Sequence, residues 1–320
     1  MHLGKNQIFT YSKKNEPLQI TTNGQTIQYT YDEQGRCCLL TLPDQTAIRY
    51  CYNDKNLQTI ERLDQTDQVL YQHHYDYCTH SDQVITESLI KGLGKIDYQY
   101  DLHHKKTAIS SHWWSQKILL KDEEGRILKS IVNDHQGEIQ SHFCYSEEGY
   151  LSQEDETSYF SDSLFNSFSN QDSFLEVNSI NQLLSTNEFQ YAYDLNGNLI
   201  QKTDDSSSYF YQYDALNRLI RYEEAGKQAV EYEYDAFNRR IAESLFVYSA
   251  TQKWEKQTGF YYLYDGMEEI GKVDENGKVM ELRILADNNQ TKQKNAIAFE
   301  LQGRLFAPIY DSHGSARCLI

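Results

Sequence analysis

Residues 191–242 carry one ten-residue pattern three times. It reads Tyr191-Ala-Tyr193-Asp194-Leu-Asn-Gly197-Asn198-Leu-Ile200, then Tyr211-Gln-Tyr213-Asp214-Ala-Leu-Asn217-Arg218-Leu-Ile220, then Tyr232-Glu-Tyr234-Asp235-Ala-Phe-Asn238-Arg239-Arg-Ile241. The steps from Tyr193 to Tyr213 and from Tyr213 to Tyr234 are 20 and 21 residues. A fixed period of that size signals a repeat architecture, in which each unit buries its face only against its neighbours.

The residues of one copy dictate a hairpin. Tyr-x-Tyr puts two rings on one face of an extended segment, because strand side chains alternate with period two. The Asp that follows bonds the backbone two residues on and opens a turn. Gly or Asn three positions later tolerates the left-handed conformation that closes a type I turn with a bulge. An apolar run such as Leu219-Ile220 then returns, and polar stretches such as Asp204 to Ser208 and Glu224 to Lys227 turn the chain again. One hairpin is marginal alone, so successive hairpins must pair edge to edge. The expected fold is all-β, a spiralling antiparallel sheet of tandem hairpins.

Earlier and later segments repeat the pattern with varying fidelity. Tyr29-Thr-Tyr31-Asp32-Glu-Gln-Gly35-Arg36 is a full copy, and Tyr50-Cys-Tyr52-Asn53-Asp-Lys-Asn56 follows 21 residues later. His73-His-Tyr75-Asp76 keeps the first half and loses the Gly. Tyr98-Gln-Tyr100-Asp101-Leu-His-His104 puts His at the Gly position, and Leu119-Leu-Lys121-Asp122-Glu-Glu-Gly125 loses both tyrosines. Phe143-Cys-Tyr145-Ser146-Glu-Glu-Gly149 is another copy. The last is Ile309-Tyr310-Asp311-Ser-His-Gly314, with a strand near Arg317 expected to leave a sheet edge open to self-association. Residues 158–187, rich in Ser, Asn and Phe, break the period. They are expected to form an excursion or plug between hairpin blocks at 1–157 and 188–320, or else a strand pair that has lost the motif.

Composition narrows the function. Tyr is 26 of 320 residues and Pro only 3, which suits strands. A formal charge of −17 argues against nucleic acid, whose phosphates need a basic face. No apolar run is long enough for a transmembrane helix, and the start lacks a signal-peptide core, so cytoplasmic synthesis is expected, with any secretion or surface display needing a dedicated export system. The cysteines, Cys37, Cys38, Cys51, Cys78, Cys144 and Cys318, show no C-x-x-C spacing and read as reduced structural thiols.

Catalytic and cofactor readings find little support. The His73-His74 and His103-His104 pairs lack metal-ligand spacing. The turn aspartates lack a calcium-loop run, and Gly92-Leu-Gly94 lacks the pattern of a phosphate loop. Paired carboxylates such as Asp204-Asp205 fall on turns. The expectation is no enzyme, no metal and no cofactor. Trp113-Trp114 is the one candidate stacking platform for a carbohydrate.

Tyr-Asp at a step near 21, followed by Gly-Asn-Leu or Asn-Arg-Leu, resembles the YD repeat of the Rhs family. Related repeats occur in the C components of insecticidal toxin complexes and in teneurins. The resemblance covers roughly residues 29–320 and is strongest at 191–242. The run Leu305-Phe-Ala-Pro308-Ile-Tyr310-Asp311-Ser-His-Gly314-Ser-Ala-Arg317 is similar to the stretch that precedes the conserved core end of such proteins. The resemblance implies a hollow β-shell that encloses a C-terminal toxin or presents a surface to other cells, plugged by a segment ending in an Asp-Pro-x-Gly cleavage site. No Asp-Pro pair occurs here. The expectation is therefore part of a shell: a fragment without cleavage segment or toxin, or a short paralogue. Its partners would be a toxin domain or the remainder of a shell. The alternative is a module that binds cell-surface glycans.

Overall fold

The computed structural model describes residues 8–135, 137–160, 175–286, 295–312 and 314–320. Among them the single helical element is a 3-10 turn, Ile90–Gly92, and all other regular structure is strand. Strands pair in chain order. One antiparallel sheet has fourteen, from Ile8–Tyr11 to Leu151–Phe160, and a second has thirteen, from Leu175–Val177 to Arg304–Phe306. Neither order skips a neighbour or closes on itself. Pro308–Tyr310 and Ala316–Leu319 form a separate pair, so the strand holding Arg317 is bonded along one side. The tandem-hairpin, all-β class read from the repeat is the observed one.

The predicted turns close as their chemistry requires. Asp214 N–H bonds the Arg218 carbonyl at 3.0 Å, and Asn217 N–H bonds the Asp214 carbonyl at 3.0 Å. The ladder register shifts beside each such turn, as between Gln212 and Tyr213, which marks the bulge. Asn217, Asn238 and His104 all sit at positive φ, between 60° and 64°. Asn56 departs from expectation. Its turn is one residue tighter, with Asn53 N–H on the Asn56 carbonyl, and it has no positive φ.

The copy read at His73 was placed two residues early. The strand Val69–Tyr77 continues past Asp76, and the turn opens at Cys78, whose N–H bonds the Gln83 carbonyl at 2.9 Å. The true pair is Tyr75-x-Tyr77, and Asp76 lies within the strand. Residues 161–174 of the expected excursion lie outside the described residues. On either side are the strands Leu151–Phe160, Leu175–Val177 and Leu183–Thr186.

Contact density divides the chain into two units. The first combines 1–10, 19–27 and 165–279. Its buried cluster is Ile241, Tyr262 and Tyr264, while the tyrosines of the 191–234 copies are half-buried. The second combines 11–18, 28–164 and 280–320 and has the larger core, with Leu42, Ile48, Ile60, Leu63, Tyr75, Leu282 and Ile309 fully buried. Each such aliphatic side chain contributes about 1.5–3 kcal/mol. In this unit Arg62, 3% exposed, ties the strand Leu57–Leu63 to the strand Asn295–Leu301. Its guanidinium donates to Glu300 Oε1 at 2.9 Å and to the Leu63 carbonyl at 3.0 Å, and Glu300 also accepts the Tyr71 hydroxyl. A buried ion pair is near break-even energetically, so this one fixes register more than it adds stability. The six cysteines form no disulfide among the described residues.

At Gly197, φ is +87° and an added Cβ would approach only the end of the Gln182 side chain. The cost of Gly197→Ala is therefore the left-handed backbone, about 1–2 kcal/mol. Urea denaturation is expected to show a lowered midpoint for Gly197→Ala.

Candidate functional site

The recurring residues of the motif converge on one construction at the turn edge of each repeat. The Asp carboxylate uses both oxygens. Asp214 Oδ1 accepts the N–H groups of Leu216 and Arg218 at 2.9 and 3.1 Å, and Oδ2 accepts Arg218 Nε at 2.7 Å. Asp32 does the same with Gln34 and Arg36, and Asp235 with Phe237 and Arg239. At Asp194 the amide of Asn198 replaces the guanidinium, at 2.9 Å. Asp311 keeps the turn, bonding Ser315 N–H, but takes its cation from Arg317, six residues on. Gly314 supplies the φ of +83° that this last turn needs.

The Arg then reaches forward to the next repeat. Arg218 Nη1 donates to the Asp235 carbonyl and to Asn238 Oδ1, both at 3.1 Å, and Arg239 bonds the Gly266 carbonyl. Asn198 Nδ2 donates to Asn217 Oδ1 at 2.9 Å. The guanidinium planes also lie over tyrosines one repeat ahead: Arg36 over Tyr52 at 4.3 Å, Arg126 over Tyr145 and Arg218 over Tyr234 at 4.8 Å, Arg239 over Tyr264 at 4.6 Å. Such contacts contribute about 0.5–1 kcal/mol at exposed sites.

The second tyrosine of most copies completes the clamp. Where one repeat meets the next, the main-chain ladder stops two residues short of the turn. The strand Leu219–Glu224 pairs with its successor only as far as Arg221 and Glu231, so the Leu219 carbonyl has no ladder partner. Tyr234 Oη donates to it at 2.9 Å. The same bond recurs at Tyr52 to Cys37, Tyr77 to Leu57, Tyr100 to Val84, Tyr145 to Ile127 and Tyr264 to Arg240. Tyr31, Tyr193 and Tyr310 bond the carbonyls of Pro17, Leu183 and Ala296. Where the tyrosine is lost, Lys121 Nζ donates to the equivalent Lys106 carbonyl at 2.9 Å.

Sequence reasoning took the tyrosines for a packing ladder and missed the role of the hydroxyl. The signal was present: the residue before the turn is Tyr in nearly every copy, while the one two before it is also Phe or Leu. Cross-strand ring packing does occur, as between Tyr211 and Tyr222 at 5.6 Å. Cations interleave it, with Lys202 Nζ 3.6 Å from the Phe189 ring and Arg240 4.5 Å from that of Tyr262.

Trp113 and Trp114 lie in the tight turn after the strand Lys106–Ser111, where Ser111 Oγ accepts both their N–H groups. Trp114 is 4% exposed and Trp113 is 51% exposed, so a single ring of the pair faces solvent. His73 is buried and His74 half-buried, as strand neighbours should be. Among the described residues no three His, Cys, Asp or Glu side chains are placed to hold a metal ion. No helix of the described residues is long and apolar enough to cross a membrane.

Residues 119–262, which span the turns from Asp122 to Asp235, match the family described as Teneurin YD-shell. That match bears out the resemblance to the YD-repeat, or Rhs, family. The Tc holotoxin pore of Photorhabdus luminescens with a mutated TccC3 aligns at a TM-score of 0.50 and 13% identity, over 98% of this chain and 18% of that one. Crystal structures of TcdB2-TccC3-TEV and of TcdB2-TccC3 without its hypervariable C-terminal region align over 98% of this chain and 19% of theirs, at 12% identity and a TM-score of 0.39. The chain spans about a fifth of the length of these structures, and at such identity the likeness is one of fold. No curated protein sequence matches it.

Two measurements test the YD clamp. Tyr234→Phe removes one hydrogen bond and keeps the ring, so a loss of about 1 kcal/mol is expected in chemical denaturation. The second concerns acid. The backbone N–H of Arg36 and the side chain of Asn198 hold the Asp32 and Asp194 carboxyls below the usual carboxylate range. At Asp214 burial pushes the carboxyl up, and the Arg218 hydrogen bonds outweigh it. A folded pKa below the unfolded one gives stability that is full above about pH 4 and is lost as pH falls through the folded value. Melting temperature should therefore drop below about pH 4. The drop should be shallower in Asp214→Asn, which keeps the backbone bonds, as Asn53 does in its own turn.

Proposed function

We propose that the chain is a non-catalytic wall segment of a YD-repeat shell, acting with further shell sequence to enclose or present a polypeptide effector. The observation that carries this reading is the use of the recurring polar residues. Asp, Arg, Asn and Tyr of each copy are engaged in their own turn or in the neighbouring repeat, which is what a wall requires and leaves those groups no chemistry to perform on a substrate. The match of residues 119–262 to the Teneurin YD-shell family and the fold likeness to the Tc holotoxin pore support it. The acidic surface suits a wall that stays soluble while its partner folds inside.

The test is protection of cargo. The chain would be co-expressed with the polypeptides encoded beside it, the complex isolated, and trypsin cleavage of the partner followed. An encapsulating wall predicts cleavage at least tenfold slower than for the partner alone. Equal rates, or failure of any neighbouring product to co-purify, would sink the reading.

The glycan-binding alternative now rests on the exposed ring of Trp113. If it holds, Trp113→Ala abolishes a glycan-array signal that Trp114→Phe retains.

A further inference from the structure

Within the second unit, a cavity of about 140 Å³ lies among the strands Val69–Tyr77, Val84–Ser88 and Lys95–Tyr100, residues 295–297 and 308–312, and Gly314. Its chemistry centres on Glu87. Oε1 accepts the Tyr98 hydroxyl at 2.7 Å, and His73 Nε2 approaches Oε2 at 3.3 Å, a contact of ion-pair range without the alignment of a hydrogen bond. Burial pushes the Glu87 carboxyl up, and His73 and Tyr98 outweigh it, so the group is an anion. Asp311, also in the lining, is matched by Arg317 at 2.6 Å.

Three polar groups of the lining are left over. The His73 ring is 1% exposed, and its Nδ1 has no partner. Ser312 Oγ is buried without a partner, although the Ser312 N–H is anchored on Gln116 Oε1 at 2.9 Å. Lys106 Nζ lies 4.1 Å from the centre of the Tyr98 ring and has no hydrogen-bonded or ion-paired partner among the described residues. Its burial pulls the ammonium pKa down, and the field of Glu87 opposes that fall. Each buried polar group left unpaired costs about 1–3 kcal/mol, so the buried His73 and Ser312 atoms on one cavity favour a polar occupant beside the half-buried Lys106.

The set specifies that occupant. It comprises one cation, one hydroxyl and one ring nitrogen, with Tyr75, Tyr98 and Tyr310 also in the lining. The Glu87 and Asp311 charges are already matched, so an anion entering beside Lys106 meets no unbalanced carboxylate. An engineered cavity of about 150 Å³ holds one benzene, which sets the size at roughly six to eight non-hydrogen atoms. We propose that this cavity binds a small hydroxylated carboxylate, its carboxylate on Lys106 and its hydroxyl hydrogen-bonded to His73 Nδ1, with Ser312 bonding either group.

Isothermal titration of the full chain with lactate, propionate and 1,2-propanediol tests this, since the last two each lack one of the required groups. The expected result is lactate binding at least tenfold more tightly than either. Lys106→Met and Ser312→Ala should each weaken lactate at least fivefold while leaving the circular dichroism spectrum and melting curve unchanged. Ser312→Ala removes only an oxygen, so it remains a valid probe if Lys106→Met folds poorly. Any other ranking, no heat with any probe, or unchanged affinity in a folded variant overturns the proposal and leaves a cavity filled by water.

Discussion

A hydrogen bond from a tyrosine hydroxyl to a carbonyl one repeat back is what lets this chain be a stack of hairpins. Each hairpin ends in a bulged turn, and the bulge adds local twist that parts the strands of adjacent repeats. The ladder gives out two residues early, at Arg221 against Glu231 and at Thr59 against His74, leaving the carbonyls of Leu219 and Leu57 without a strand partner. Tyr234 and Tyr77 reach across that gap. A phenol is the natural tool. It carries an apolar ring long enough to span the splayed strands, with a donor at its tip. Lys121 meets the same requirement with a long stem and an ammonium, which explains how a repeat without tyrosines keeps its place.

The turn aspartate is coupled to that bond through arginine. Asp214 fixes the Arg218 guanidinium, which covers the Tyr234 ring whose hydroxyl holds Leu219, the residue next to Arg218. Local turn chemistry and contact between repeats are thus one circuit. Single exposed ion pairs contribute little, but here the pair pre-orients a planar group that makes two further contacts. The period near 21 follows, because the circuit closes only when turn, arginine and the next tyrosine fall at matching heights along the sheet.

The sequence made legible whatever is written within one repeat. Asp-x-x-Gly/Asn predicted the turn, and even His104 takes the left-handed backbone its position demanded. What joins one repeat to the next was not legible, because a carbonyl has no letter in the sequence, and a Tyr that donates reads the same as a Tyr that packs. The misplaced copy at His73 has a related cause. Asp76 resembles a turn opener, yet the turn there begins at Cys78, and only the strand pairing of Tyr77 with Val84 reveals it. Asn56 fails for another reason: one residue fewer in the turn removes the need for a left-handed position.

The least regular copies are also where the polar interior is concentrated. Of the buried polar residues Thr22, Arg62, His73, Gln116, Ser130, Ser141, Arg239 and Asp311, five lie between residues 62 and 141. The well-formed copies at 191–234 instead keep their polar groups at the turn edge and in the half-buried aromatic face. Sequence rules that agree at every level specify a scaffold, and departures from them concentrate where something besides folding constrains the residue. Replacing a buried aliphatic by His73 or Glu87 gains the sheet nothing, since the clamp of Tyr77 and Tyr100 would hold those strands around an apolar interior just as well. The degenerate stretch is thus a region where the clamp carries the fold and leaves the interior positions open to polar residues.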